Sequence, residues 1–172
     1  KPAVPTSSVT RHQAIIDGKT VKYTATVGWF ILKDPKDNPI ARFGYTAYTL
    51  DGVKDLTQRP VTFAFNGGPG SSSIWLHMGI MGPRRVVVND GGYAPPPPSQ
   101  VVDNPFSPLD VTDIVMIDPV GTGFSKPLGD AKPADFHGVD EDIRSVAQFI
   151  KRYVSENGRW GSPKYVLGES YG

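Results

Sequence analysis

Residues 164–172, KYVLGESYG, decide how the chain is read. A short apolar run, Lys164 to Gly168, leads straight into Gly-Glu-Ser-Tyr-Gly, the pattern in which a sharp strand-to-helix turn projects a serine hydroxyl. The outer residues of that pattern, Gly168 and Gly172, are expected where a side chain would collide with a neighbouring strand or the following helix, and the turn is expected to strain the backbone at Ser170. The bland reading is a strand that ends in a glycine-rich turn. Position after KYVL favours the sharper one.

Working outward, two further apolar runs stand earlier in the chain: VTFAFN, Val61 to Asn66, and DIVMID, Asp113 to Asp118. Runs of this length suit central strands covered on both faces. Between the second of them and KYVLG, Val139, Ile143, Val146, Ala147, Ile150, Tyr153 and Val154 recur at helical spacing, and Asn157-Gly158 supplies a stop. Strand, helix and strand in that order predict a right-handed crossover and a parallel sheet. Nearer the N-terminus, TVKYTATVGWFILKD alternates, placing Val21, Tyr23, Ala25, Val27, Trp29 and Ile31 on one face, and PIARFGYTAYTL follows in kind. The DPKDNP cluster between them, 34–39, predicts a β-hairpin. Residues 1–19 read as a polar tail or linker, with order beginning near Thr20. The stretch 82–108, with APPPPS at 94–99, favours polyproline II and predicts a long surface excursion.

Composition excludes several classes. The 172 residues carry 18 basic and 17 acidic side chains, for a formal net charge of +1, so no strong field exists to draw nucleic acid or an anionic membrane. No apolar run reaches the ~18 residues of a membrane span. With no cysteine there is neither a disulfide framework nor a thiolate metal site, and neither a metal nor a cofactor is expected. The glycines of DPVGTGFS, 118–125, suit a phosphate loop, but the Gly-Lys-Ser/Thr such a loop needs is missing.

FNGGPGSSS, 65–73, follows the VTFAFN strand. In an α/β-hydrolase, one oxyanion N–H comes from the residue after the nucleophile and the other from the loop after an earlier strand. Here those are Tyr171 and Gly68, and each such donor contributes roughly 3 kcal/mol to transition-state stabilisation.

Together, FNGGPGSSS, NPFSPLDVTDIVMIDPVGTGFS and YVLGESYG resemble the serine carboxypeptidase family of the α/β-hydrolase superfamily over roughly Val61 to Gly172. The resemblance implies an α/β fold, the N-terminal part of an α/β-hydrolase domain spanning 20–172. It implies Ser170 as nucleophile with the Gly68 and Tyr171 amides as oxyanion hole. It also implies that Asn66, the Gly67 N–H and Glu169 grip the carboxylate at a peptide or protein C-terminus, in a secreted or periplasmic setting. A glutamate that grips a carboxylate must be protonated, so activity is expected to favour acidic pH. Three positions depart from the family pattern: Ala64 replaces a usual Trp, Ile80 a second carboxylate-binding Glu, and Ser71 a common Cys. The first two favour the alternative of another hydrolase or acyltransferase on the same scaffold. The third points to a bacterial-type branch without the family disulfides.

In this superfamily the triad runs in the order serine, acid, histidine, so both partners of Ser170 are expected beyond Gly172. His12, His77 and His137 all precede the serine and read as structural or solvated. The chain alone is then expected to be nearly inert, and a non-catalytic binding module is the alternative from a different class.

Overall fold

A computed structural model describes residues 7–88 and 95–172. Among them, β1 (Ser8–Ile16), β2 (Lys19–Lys33) and β3 (Pro39–Leu50) form an antiparallel meander. The first strand corrects the expectation of a tail up to residue 19. Ile16 pairs with Lys19 across Asp17 and Gly18, whose φ values of 46° and 70° define a two-residue hairpin turn of the I′ kind. The β2–β3 turn is the expected one: the Asp34 carboxylate accepts from the Lys36 and Asn38 amides at 2.9 and 2.8 Å.

Next come β4 (Val61–Asn66), a short helix α1 (Ile74–Leu76) that widens into a π-type turn over His77–Met81, and a two-stranded ribbon of β5 (Arg84–Val86) and β6 (Val101–Asp103). That ribbon belongs to the expected surface excursion; of APPPPS, Ala94 lies outside the described residues and 95–99 are neither helix nor strand. The chain then forms β7 (Asp113–Ile117), the two-residue β8 (Lys126–Pro127), helix α2 (Val139–Glu156) and β9 (Lys164–Glu169). The main sheet runs β1-β2-β3-β7-β4-β9, with β8 on β3. Strand β4 is parallel to both β7 and β9, so the connection through α2 passes over β4 before β9 is laid down beside it.

Both faces of the sheet are covered near its centre. Val61 and Phe63 of β4 and Val115 and Ile117 of β7 pack with Phe149, Tyr153 and Val154 of α2. Ala64, Ile114 and Met116 face the opposite way, onto Leu76, Met81 and Leu109. Adjacent residues of a strand point to opposite faces, so an apolar run with no alternation is what a doubly covered strand requires.

Three details depart from the sequence reading. Strand β2 changes its buried face along its length: Val21 and Tyr23 are buried at one end, but Phe30 and Leu32 at the other, while Val27 is exposed. The β1 hairpin reaches under the α1 side at one end and α2 covers the other face at the far end. Helix α2 packs through Phe149, Tyr153, Val154 and Ser145, whereas Val139 and Ile143 are exposed. Its apolar stripe is wider than its contact with the sheet, and the outer half borders a groove beside β9. That last strand is itself exposed throughout rather than doubly covered, because none of the described elements packs over it. No helix among the described residues is long and apolar enough to cross a membrane.

At the end of the sheet away from Ser170, Asp113 is 1% exposed between two buried arginines. Its Oδ1 accepts from Arg59 Nε at 3.0 Å and its Oδ2 from an Arg159 guanidinium nitrogen at 2.5 Å. The remaining guanidinium donors are met by the carbonyls of Leu109, Asp110, Arg59 and Pro60 and by Ser162. Two buried cations depend on one carboxylate. Asp113→Ala should therefore lower stability by about 3–5 kcal/mol, read as a fall in the urea midpoint; an unchanged midpoint would contradict the assignment.

Candidate active site

The turn after β9 has the geometry that its sequence predicts. Ser170 has φ = 61°, the left-handed region that a residue with a Cβ enters only under constraint. The Gly172 amide donates back to the Glu169 carbonyl at 3.0 Å, closing the bend. A Cβ on Gly168 would stand 2.1 Å from the Gly172 carbonyl carbon, and one on Gly172 would stand 2.9 Å from the Phe65 carbonyl oxygen on β4. The bend is thus folded onto itself and onto the neighbouring strand.

Parallel pairing aligns Asn66 at the end of β4 with Glu169 at the end of β9. The loop that leaves Asn66 therefore starts beside the bend that carries Ser170. Their approach is close: a Cβ on Gly67 would lie 2.4 Å from the Tyr171 amide nitrogen and 2.5 Å from that of Gly172. Only glycine fits there. Asn66 is buried and fixed on three sides. Its amide donates to Ser73 Oγ at 3.2 Å, its Oδ1 accepts from the Leu76 amide at 3.0 Å, and its Nδ2 donates to Glu169 Oε2 at 3.2 Å.

These contacts open a cleft of about 330 Å³ lined by Asn66, Gly68, Ser71, Glu169 and Ser170 on one side and by Trp75, Leu76 and Ile80 on the other. Of the six residues singled out from sequence, four line this cleft and Gly67 packs on the bend. The Tyr171 side chain points away, its hydroxyl donating to Asp142 Oδ2 at 3.2 Å. Burial pushes the Asp142 carboxyl up, and the Tyr171 hydrogen bond opposes that shift. Tyr171 and Asp142 belong to a second, larger groove of about 860 Å³, lined also by the outer stripe of α2.

The loop after β7 plays a part that the sequence reading missed. Asp118 accepts from the Ser73 amide through Oδ1 at 3.0 Å and from the Phe124 amide through Oδ2 at 3.1 Å. Ser73 Oγ donates to the Ile117 carbonyl, and Ser125 Oγ donates to the Asp118 carbonyl at 2.6 Å. The glycine-rich DPVGTGFS segment therefore wraps a carboxylate that ties the loops after β4 and β7 together. An aspartate at a strand end with Ser and Gly in the next seven residues is a local signal for such a knot.

None of the three histidines lines the cleft. His12 stacks on Tyr23 in the β1–β2 hairpin, and His137 borders the larger groove. His77 is buried against Tyr48, with Nε2 and the phenolic oxygen 2.5 Å apart. Burial pushes the imidazole down and the phenol up to about 12.

The serine carboxypeptidase family matches residues 45–172, and the chain belongs to it. Two relatives are serine carboxypeptidase-like 36 of Arabidopsis thaliana, 30% identical over 139 residues, and serine-type carboxypeptidase F of Aspergillus niger, 36% identical over 112. The alignments cover 78% and 64% of this chain but only 26% and 19% of those proteins, so the chain spans about a quarter of their length or less. A crystal structure of a prohormone-processing carboxypeptidase from Saccharomyces cerevisiae superposes with a TM-score of 0.68 at 24% identity, over 87% of this chain and 31% of that one. The fold is the α/β-hydrolase fold, represented here by the meander and the strands up to the Ser170 bend.

Two outcomes follow from the packing. Gly67→Ala must separate the bend from the loop, and a loss of about 1–3 kcal/mol is expected, read as a lowered melting temperature; an unchanged melting temperature would show that the contact yields freely. The His77 imidazole is held below its ordinary value of 6.5, so the unfolded chain takes up a proton first as pH falls. Its contribution is present above pH 6.5 and is lost as pH falls through the lower folded-state value. His77→Gln should flatten that part of the stability profile; an identical slope in the variant would refute the role.

Proposed function

We propose that the protein is a serine exopeptidase that releases C-terminal residues through an acyl-enzyme on Ser170. The observation that supports it is a left-handed serine sharing one cleft with Gly68 of the GGPG loop, with the Tyr171 amide packed against the neighbouring Gly67. In this reading Ser170 Oγ attacks the scissile carbonyl and its proton passes through a histidine base to the departing amine. The Gly68 and Tyr171 amides receive the negative charge that develops on the carbonyl oxygen. Water then hydrolyses the ester and restores the hydroxyl. The base and the acid that orients it come from sequence beyond Gly172, in the order that this fold uses.

Asn66, the Gly67 N–H and Glu169 hold the substrate's terminal carboxylate. Because Glu169 accepts from Asn66 and is itself acidic, it donates to a second carboxylate only when it carries a proton. Substrates are peptide or protein C-termini, and a secreted or periplasmic location belongs to the same reading.

Fluorophosphonate labelling of the full-length protein should occur on Ser170 and vanish in Ser170→Ala; persistent labelling of the variant would overturn the assignment. A second reading, another hydrolase or acyltransferase on this scaffold, is favoured by Ile80, which presents hydrocarbon to the cleft instead of a second acid. Paired peptides with free and amidated C-termini separate the two. The exopeptidase should cleave the free acids and reject the amides, and equal cleavage would favour the second reading.

A further inference from the structure

We infer that Asp118 is a positioning residue for the reaction: through Ser73 it fixes the loop that carries the Gly68 amide, and so sets the turnover rate without touching substrate. The role rests on those proposed for Ser170 and Gly68, and adds what holds one of the two oxyanion donors in place. Neither Asp118 nor Ser73 lines the cleft, whereas Gly68 and Ser71, on the loop between Asn66 and Ser73, both do.

Loop 67–72 leaves the end of β4 and returns at Ser73, so its shape depends on how those two ends are fixed. Ser73 is 2% exposed and makes the connection. Its hydroxyl proton goes to the Ile117 carbonyl, which leaves an oxygen lone pair for the Asn66 amide at 3.2 Å. Its own amide donates to Asp118 Oδ1 at 3.0 Å. Entry and exit of the loop are thereby clamped to each other and to the end of β7. Inside the clamp the Ser71 amide donates to the Gly67 carbonyl at 3.1 Å, closing a turn in which Gly68 has φ = 124°. With both ends pinned and that turn closed, the direction of the Gly68 N–H follows from the position of Ser73.

Asp118 can hold Ser73 because it is held itself. Its Oδ2 accepts from the Phe124 amide at 3.1 Å, and its carbonyl accepts from Ser125 Oγ at 2.6 Å. Ser125 Oγ in turn accepts from the Gly44 amide of β3 at 2.8 Å. A Cβ on Gly123 would stand 2.1 Å from Asp118 Oδ2, so the loop closes tightly over the carboxylate. The Asn66 side chain has separate anchors in the Leu76 amide and Glu169. Loosening Ser73 therefore disturbs Gly68 while the proposed grip on the substrate carboxylate stays in place. An oxyanion exists only once Ser170 has attacked, so the expected signature is a fall in kcat with KM preserved.

The test uses the full-length protein and one peptide substrate with a free C-terminus, with kcat expressed per Ser170 labelled to completion by a fluorophosphonate, so that loss of folded protein does not count. Asp118→Ala and Ser73→Ala should each lower kcat by about tenfold to a hundredfold and leave KM within about threefold. The double variant should lose no more than about twofold beyond the worse single one, because the two act through one contact. Ser162→Ala is the matched control: a buried serine at the far end of the sheet whose hydroxyl likewise bridges a donor, Arg159, and a carbonyl, that of Leu56. It should keep kcat per labelled site. Ser73→Ala removes a single hydroxyl and decides the matter where Asp118→Ala does not fold. An unchanged kcat, a change in KM alone, losses that multiply in the double variant, or an equal fall in Ser162→Ala would overturn the inference. Labelling also separates the two failures: a labelled wild-type Ser170 with unchanged kcat in the variants rejects the role of Asp118 alone, whereas an unlabelled one rejects the catalytic reading beneath it.

Discussion

The rest of the site depends on one close approach, that of the backbone after β4 to the backbone after β9. Two parallel neighbours in a sheet end side by side, and whatever follows each must share the same small space. Here Gly67 occupies it without a side chain, and a Cβ there would come within 2.4 Å of the Tyr171 amide nitrogen. The same crowding holds Ser170 at φ = 61°, because a relaxed bend would move Gly168 and Gly172 out of contact with each other and with Phe65. Local strain is tolerated because the surrounding sheet over-determines it.

That sheet is rigid for reasons that can be traced outward. Its central strands are buried on both faces, with α2 on one side and the α1 turn with Leu109 on the other. One end is tied by Asp113 between Arg59 and Arg159, and the other by Asp118 between the loops that carry Ser73 and Phe124. Two carboxylates at opposite ends of β7, Asp113 buried and Asp118 half-buried, thus do related work, one fixing the base of the sheet and one fixing the loops around the cleft. The chemistry sits on loops and the precision comes from the scaffold beneath them.

Much of this was legible in the sequence where a rule is local. Gly-Glu-Ser-Tyr-Gly after an apolar run gave the bend, unbroken apolar runs gave β4 and β7, and Asp34 to Pro39 gave the β2–β3 turn. The β1 strand was missed although Asp17-Gly18 is a strong two-residue hairpin signal, since the residues before it are mostly polar and exposed, as an outer strand permits. What sequence could not supply were relations set by tertiary context. Strand β2 switches its buried face because different elements cover its two ends. Phe149 rather than Ile143 carries α2 into the core, and an apolar stripe wider than its contact looks the same from sequence whichever half is buried. The pairing of Asn66 with Glu169 spans 103 positions and follows only once β9 is laid beside β4.

The family, the fold and the cleft describe a molecule in which Ser170, Gly68, Asn66 and Glu169 are brought to one cleft by strand order. The central claim is that the amides of Gly68 and Tyr171 converge on an oxygen bonded to the group that Ser170 carries. A crystal structure of the full-length protein with a phosphonate bound covalently to Ser170 tests it most directly. The account predicts one phosphonyl oxygen within hydrogen-bonding distance, about 2.7–3.1 Å, of both nitrogens. An oxygen that is turned to solvent, or an amide of either residue aimed away from it, would contradict the account.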